Sequence, residues 1–109
     1  MSEWRLGKPA PEDEPGYIGK AKISKLETMT GKAIFGEKAQ NADDKFCCIY
    51  VKRRDKDVKI DQIHLFKDMS NLHPKSKAGQ FMHAYGSAPK VGMQVNVKTN
   101  GDGFWELVL

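Results

Sequence analysis

The alternation of apolar and polar positions is clearest over residues 45–54, the densest apolar run in the chain. With the two-residue period of a strand, Cys47, Ile49 and Val51 share one face, and small or branched side chains of this kind suit a core. The opposite face carries Phe46, Cys48, Tyr50 and Lys52. The pattern therefore predicts a central strand with a buried face and an aromatic, basic outer face.

Four other segments show the alternation that is typical of strands. They are residues 17–27, 58–66, 93–98 and 104–109. In the segment after the central strand, the apolar parity changes between Ile60 and Ile63, which predicts a bulge near Asp61 and Gln62. Gly19 is a second position at which a strand can bend or bulge.

The connections between these strands are polar, charged or rich in glycine. A turn is predicted over residues 28–31, a loop over 37–44 and a charged hairpin connection over 53–57. Asn-Gly-Asp-Gly at 100–103 predicts the turn of a C-terminal hairpin. The short apolar patch at 32–36 has two interpretations, since it either continues the first strand after a bend or begins the second.

One helix is predicted, over residues 75–85. Ala78, Phe81, Met82 and Tyr85 are spaced i, i+3, i+4 and i+7, which places them on one apolar stripe. Its flanks carry residues that start and end helices, namely Pro74 or Ser76 before it and Gly86 after it.

Charge is distributed unevenly along the chain. The net charge is +4, but residues 1–16 carry two cations and four acids, so the remainder carries 16 cations and 10 acids, a net of +6. The first 16 residues are rich in proline and acid, and we expect a flexible arm there. The domain is then expected over 17–109, with a basic body that favours a polyanionic partner.

Several classes of protein are disfavoured by the sequence. The mean hydropathy of −0.59 and the lack of an apolar run of about 20 residues argue against a membrane protein. No secretory signal is visible, and the adjacent Cys47 and Cys48 do not suit a disulfide, so a reduced, cytoplasmic protein is expected, with Cys47 in the core and Cys48 outside. The three histidines are scattered, and no enzyme, metal or cofactor motif is present.

The order of predicted elements is three strands, one short helix and two strands. This order resembles the OB-fold, a mainly β, five-stranded Greek-key barrel with one helix between strands three and four. The segment 85–95, with its Pro89-x-x-Gly92 turn, looks like the linker of small archaeal or phage-type single-strand-binding OB proteins. The resemblance covers 17–109 and implies oligonucleotide or oligosaccharide binding across strands two and three and the loops joining strands one to two and four to five. From its apolar stripe, we expect the helix to close the open end of the barrel.

The residues that this interpretation assigns to a nucleic-acid interface are basic or aromatic. Cations follow the phosphates of a single strand, and ring faces stack on its bases. Trp105 shares parity with Leu107 and Leu109, so we expect Trp105 inside and Phe104 outside. The candidate binding residues are Lys20, Lys22, Lys25, Phe46, Tyr50, Lys52, Arg53, Arg54, Lys59, His64, Phe66 and Phe104.

A second hypothesis stays open beside DNA or RNA binding. The apolar C-terminal strand and the Trp4-bearing arm suit pairing with another subunit, so the chain is alternatively a protein-interaction or structural module of a larger replication, repair or viral assembly. A homo-oligomer is one form of this alternative. Fold resemblance alone does not choose between the two functions.

Overall fold

The computed structural model describes residues 15–109. Of the predicted arm at 1–16, all but Pro15 and Gly16 therefore lies outside the described residues. The elements are the strands β1 (Ile18–Thr30), β2 (Lys45–Arg53), β3 (Lys56–Leu65), β4 (Gln94–Thr99) and β5 (Trp105–Leu107), the helices α1 (Gly31–Phe35) and α2 (Lys77–Tyr85), and a 3-10 helix (Gly36–Lys38).

The five strands form one antiparallel sheet in the order β3-β2-β1-β4-β5. Its two outer strands, β3 and β5, come close to each other, so the sheet curls into a nearly closed barrel. The mainly β class is thereby confirmed. The interior is apolar and includes Ile23, Ile49, Val51, Val97 and Leu107.

The long strand β1 serves two partners. Its first part, Ile18 to Lys22, pairs with β4, and its second part, Ile23 to Thr30, pairs with β2. The register shifts at Ser24, which is a β-bulge, while Gly19 is paired regularly. The turn predicted over 28–31 is wrong for residues 28–30, because their pairing with β2 continues the strand up to Thr30.

The buried face of β2 matches the prediction for Ile49 and Val51, which are completely enclosed, while Cys47 is half-buried. Cys48, expected outside, is also completely enclosed. It lies between Glu27 and Gln62 across the strands. Phe46 and Tyr50 flank it on the same face, and the four larger side chains around this small one exclude water.

A bulge in β3 resolves the change of apolar parity. Ile49 pairs with Asp61 and Tyr50 with Lys59, so Ile60 is the extra residue. Ile60 and Ile63 are consequently both buried in the core. The bulge lies one residue before the predicted position.

Residues 32–36 belong to neither of the two strands proposed for them, and the prediction of a single helix is wrong. Gly31 to Phe35 form α1, whose first turn is capped by the Thr30 hydroxyl accepting from the Ala33 amide at 3.3 Å. Tertiary hydrogen bonds hold its start, since the Gly31 amide donates to the Asp44 carbonyl at 2.6 Å.

Helix α2 follows β3 in the chain and precedes β4. Ser76 caps its start by accepting from the Gly79 amide at 3.0 Å, and Gly86 ends it with a φ of 76°. Phe81 is buried in the core, and the Tyr85 hydroxyl donates to the Val108 carbonyl at 2.6 Å. Within residues 15–109, neither helix is long and apolar enough to cross a membrane.

Candidate nucleic-acid interface

The exterior of β1, β2 and β3 forms a three-stranded surface, which we call the outer face. Cross-strand pairing arranges its side chains in rows. The rows are Lys25–Tyr50–Lys59, Glu27–Cys48–Gln62 and Met29–Phe46–His64. The bulge at Ser24 brings Lys25 onto this face, which the alternation of the sequence alone did not indicate. Five of the predicted site residues, Lys25, Phe46, Tyr50, Lys59 and His64, thus meet on one surface.

An aromatic row crosses one end of the outer face. Its members are Phe35, Phe46, His64 and Phe66, whose successive ring centroids are 5.5, 5.1 and 4.7 Å apart with nearly perpendicular planes. The two end rings, Phe35 and Phe66, are each 43% exposed. Edge-to-face contacts of this kind hold rings in fixed orientations. The row therefore offers ordered ring surfaces to solvent.

Phe35 was not among the predicted site residues. The segment 32–36 was predicted as strand. In a strand, the Phe35 ring would not lie in the connection between β1 and β2, where it contacts Phe46. The hydrogen bonds that hold α1 join residues ten or more positions apart, so no local signal in the sequence indicates them. Gly31, which allows the close approach of the loop, is the one local feature of the sequence that points to this contact.

A cleft of about 440 Å³ opens beside the aromatic row, between the row and the β1–β2 connection. We call it the loop cleft. Its walls include Phe35, Phe46 and His64, together with Lys38, Gln40, Asn41 and Asp44. The His64 Nε2 lies 3.2 Å from the Asp44 Oδ2, which ties the loop to the row.

The loop that walls this cleft is held closely against α1. Lys32 donates its amide to the Ala42 carbonyl at 3.2 Å, in addition to the bond from Gly31 to Asp44. Gly31 is buried, and a Cβ at this position would lie 2.6 Å from the Asn41 carbonyl oxygen. Only glycine allows this approach, so the cleft is preformed rather than a gap in a loose loop.

Charges on the outer face are partly paired. The Lys25 ammonium lies 3.2 Å from Glu27 and 5.1 Å from the centre of the Tyr50 ring. The hydrogen bond and charge of Glu27 raise the pKa of Lys25, so it stays cationic over the whole neutral range. Partial burial and then Glu27 raise the pKa of Tyr50, which stays neutral. Lys52 and Lys59 are exposed.

Arg53, Arg54 and Phe104 lie away from the aromatic row, where the β2–β3 turn meets the β4–β5 connection. The Arg53 guanidinium lies 4.7 Å from the centre of the Trp105 ring and donates to the Gly103 carbonyl at 3.3 Å. Trp105 is buried and Phe104 is 64% exposed, as their parity predicted. Arg54 and Asp55 form the turn itself, with φ of 52° and 63°.

Lys20 and Lys22 are exposed on β1 beside Asn96 and Gln94 of β4. They therefore extend a basic exterior along β1, but they do not share the rows of the outer face. The predicted site residues therefore fall into three groups. The first group, with Phe66 and Lys52, lies on the outer face. The second, Arg53, Arg54 and Phe104, lies where the β2–β3 turn meets the β4–β5 connection, which we call the turn side, and the third, Lys20 and Lys22, lies along the β1–β4 pair.

A second cavity, of about 330 Å³, lies between α2 and the barrel. We call it the helix groove. It is lined by apolar and small side chains that include Ile63, Leu65, Met69, Phe81 and Met82. Met82, on the predicted apolar stripe of α2, is 41% exposed there.

Burial is the main influence on the pKa of the two thiols, and at Cys48 the nearby charge of Lys59 opposes it. Burial raises the pKa of Cys47 and of Cys48, so both stay protonated at neutral pH. Within residues 15–109, no group of three or more histidine, cysteine or acidic side chains is placed to hold a metal ion. The arrangement of the outer face is suited to binding through rings and charges.

Searches of protein-family models, of curated proteins and of solved structures found no match to this chain.

Proposed function

We propose that the chain binds single-stranded DNA or RNA, with little sequence preference along most of the strand, through the outer face and the aromatic row. In this proposal the nearly closed barrel is an OB-like Greek-key barrel, with α2 between its third and fourth strands. The observation that carries the proposal is the row of four rings beside exposed lysines.

The proposal is supported by the presence of rings and cations on one surface. Bases stack on ring faces, which contributes about 1–3 kcal/mol per base. Phe35 and Phe66 are exposed at the two ends of the row. Lys25, Lys52 and Lys59 lie on the same surface, where a phosphate backbone would run.

The turn side would extend this surface. Arg53 is held against Trp105 and Gly103, and the exposed Phe104 ring is in the same connection. A strand that leaves the outer face over Lys52 would meet Arg54 and Phe104 next. Lys20 and Lys22 would attract the strand at longer range.

The experiment is fluorescence anisotropy of a labelled oligonucleotide of mixed sequence, titrated with the protein at 50 and 200 mM salt. We expect binding that weakens steeply with salt, because bound phosphates release counterions. The variant Tyr50→Ala with Lys52→Ala should bind at least tenfold more weakly. The matched control is Lys90→Ala with Val91→Ala, an exposed pair on the connection between α2 and β4.

Lack of binding at low salt would contradict the proposal. So would equal affinities of the Tyr50→Ala, Lys52→Ala variant and the wild type. A control variant that loses as much affinity as the outer-face variant would mean that the effect is unspecific.

The second candidate function is a protein-interaction module, and the helix groove is the observation in its favour. Apolar side chains line it, and Met69 and Met82 are about two-fifths exposed. Sedimentation over a wide range of concentrations tests the homo-oligomeric form of this candidate. A monomer at all concentrations, or self-association that Met82→Lys leaves unchanged, would contradict a groove-mediated oligomer.

A further inference from the structure

The loop cleft has the size and chemistry of a site for one nucleobase. Its volume of about 440 Å³ falls within the range of about 300–1,000 Å³ that is usual for small-ligand sites. It adjoins the aromatic row, so a base that enters it would follow directly from bases stacked on that row.

Two walls of the cleft are rings. Phe35 and Phe46 meet edge to face, with centroids 5.5 Å apart and an angle of 77° between planes. A planar base that enters the cleft contacts the face of one ring and the edge of the other. Every base has such a face, so the rings favour a base without choosing among the four.

The polar wall is selective. The Asp44 Oδ2 lies 3.2 Å from the His64 Nε2, so the carboxylate lies next to the aromatic row. Gln40 and Asn41 also line the cleft. An ionised carboxylate only accepts hydrogen bonds, so it favours a base that presents donors.

Guanine presents the best donor pair. Its Watson–Crick edge carries an N–H and an adjacent amino group, which two carboxylate oxygens accept in parallel. Adenine and cytosine present one amino group on that edge, and thymine or uracil presents one N–H between two carbonyl oxygens that a carboxylate repels. Lys38 also lines the cleft, and a cation there favours the phosphate of a bound nucleotide.

We propose that the loop cleft binds one unpaired guanine through Asp44 and thereby gives the chain a preference at one position of the strand. This inference rests on the proposed single-strand binding and adds to it a base-selective site.

The experiment compares three labelled strands of equal length by anisotropy at fixed salt. One contains thymine alone, one has a single central guanine, and one has hypoxanthine at that position, which lacks the amino group of guanine. We expect guanine to tighten binding about 5- to 150-fold over thymine, the range of a good bidentate contact. Hypoxanthine should fall between the two, because it keeps only one donor.

Asp44→Asn tests the assignment of the carboxylate. The amide has the same shape but also presents donors, so the preference for guanine should fall to less than threefold while the affinity for the thymine strand is kept. The matched control is Asp43→Asn, the neighbouring acid, which does not line the cleft and should leave the preference unchanged.

Three results would overturn the inference. Equal affinities for the thymine and guanine strands would show that the cleft does not select a base, while the proposed function would stand. A guanine preference that survives Asp44→Asn would remove the carboxylate from the site. If no strand binds at any salt concentration, the proposed function fails and this inference fails with it.

Discussion

The loop cleft and the helix groove are similar in size and differ in chemistry. The loop cleft measures about 440 Å³ and the helix groove about 330 Å³. Lys38, Asp44 and His64 line the first beside two phenylalanines, whereas no charged side chain lines the second among the described residues. Each cavity thus corresponds to one of the two candidate functions.

The two regions also differ in how much their side chains contribute to the stability of the fold. Phe81, on the floor of the helix groove, belongs to the core, so the groove is partly the packing of α2 on the barrel. The rings of the aromatic row lie outside the core. Their burial therefore contributes less to stability than that of Phe81.

Phe81→Ala should have the largest effect. Removing a completely enclosed phenylalanine leaves a cavity and lowers the free energy of unfolding by about 3–5 kcal/mol. Met82→Ala, at a position 41% exposed, should cost less than about 1.5 kcal/mol. Urea denaturation measures both. Equal losses would mean that α2 is not packed on the barrel through Phe81.

Gly31→Ala should destabilise the loop cleft. The added methyl group would lie 2.6 Å from the Asn41 carbonyl oxygen, and forcing it in costs about 1–3 kcal/mol. Gly101→Ala is the control, because its Cβ would meet open space. Thermal unfolding measures both variants. An unchanged midpoint for Gly31→Ala would contradict the close contact between α1 and the loop.

Phe66→Ala compares the two surfaces directly. Phe66 and Met82 are 43% and 41% exposed, so similar areas are removed from each surface. The loss of a stacking ring should weaken oligonucleotide binding by about 1–3 kcal/mol, whereas Met82→Ala should leave binding unchanged. Anisotropy titrations provide both affinities. The opposite ranking would place the interface on the helix groove.

Lys59→Gln should reduce the salt dependence of binding. If Lys59 contacts one phosphate, the slope of log K against log salt should fall by about 0.7 for a single strand. Lys90→Gln, on the connection between α2 and β4, should leave the slope unchanged. A slope that Lys59→Gln does not alter would remove this lysine from the path of the phosphates.

The smallest effect concerns pH. Burial raises the pKa of Cys47 and Cys48, so above about pH 8.5 the unfolded chain releases thiol protons that the folded chain keeps. The free energy of unfolding should therefore fall as the pH rises from 7.5 to 9. A double Cys47→Ala, Cys48→Ala variant should show a smaller decrease in the free energy of unfolding between pH 7.5 and 9. A decrease equal to that of the wild type would contradict the role of the two thiols.

The sequence predicts the elements that local pattern determines. The parity of Ile49 and Val51 and the caps of α2 at Ser76 and Gly86 are local features, and the structure agrees with them. The change of parity in β3 likewise indicates its bulge to within one residue. In each case a period or a single residue type carries the information.

The features that the sequence does not predict depend on distant contacts. The bulge at Ser24 arises where β1 changes partner from β4 to β2. Cys48 is buried because larger side chains on two neighbouring strands surround it. Helix α1, and with it Phe35 and the loop cleft, depends on hydrogen bonds to residues 42 and 44. The candidate site was thus predicted as a face, without its cleft.

The most direct test of the central claim is a titration of the ¹⁵N-labelled protein with an unlabelled single-stranded oligonucleotide, followed by amide chemical shifts. We predict that the largest shifts fall on β2 and β3 around Phe46 and His64 and on the β1–β2 connection. The amides of α2 around Ala78 and Met82 should stay unchanged. Shifts confined to α2 and the helix groove, or no shifts at low salt, would contradict the claim that the outer face binds nucleic acid.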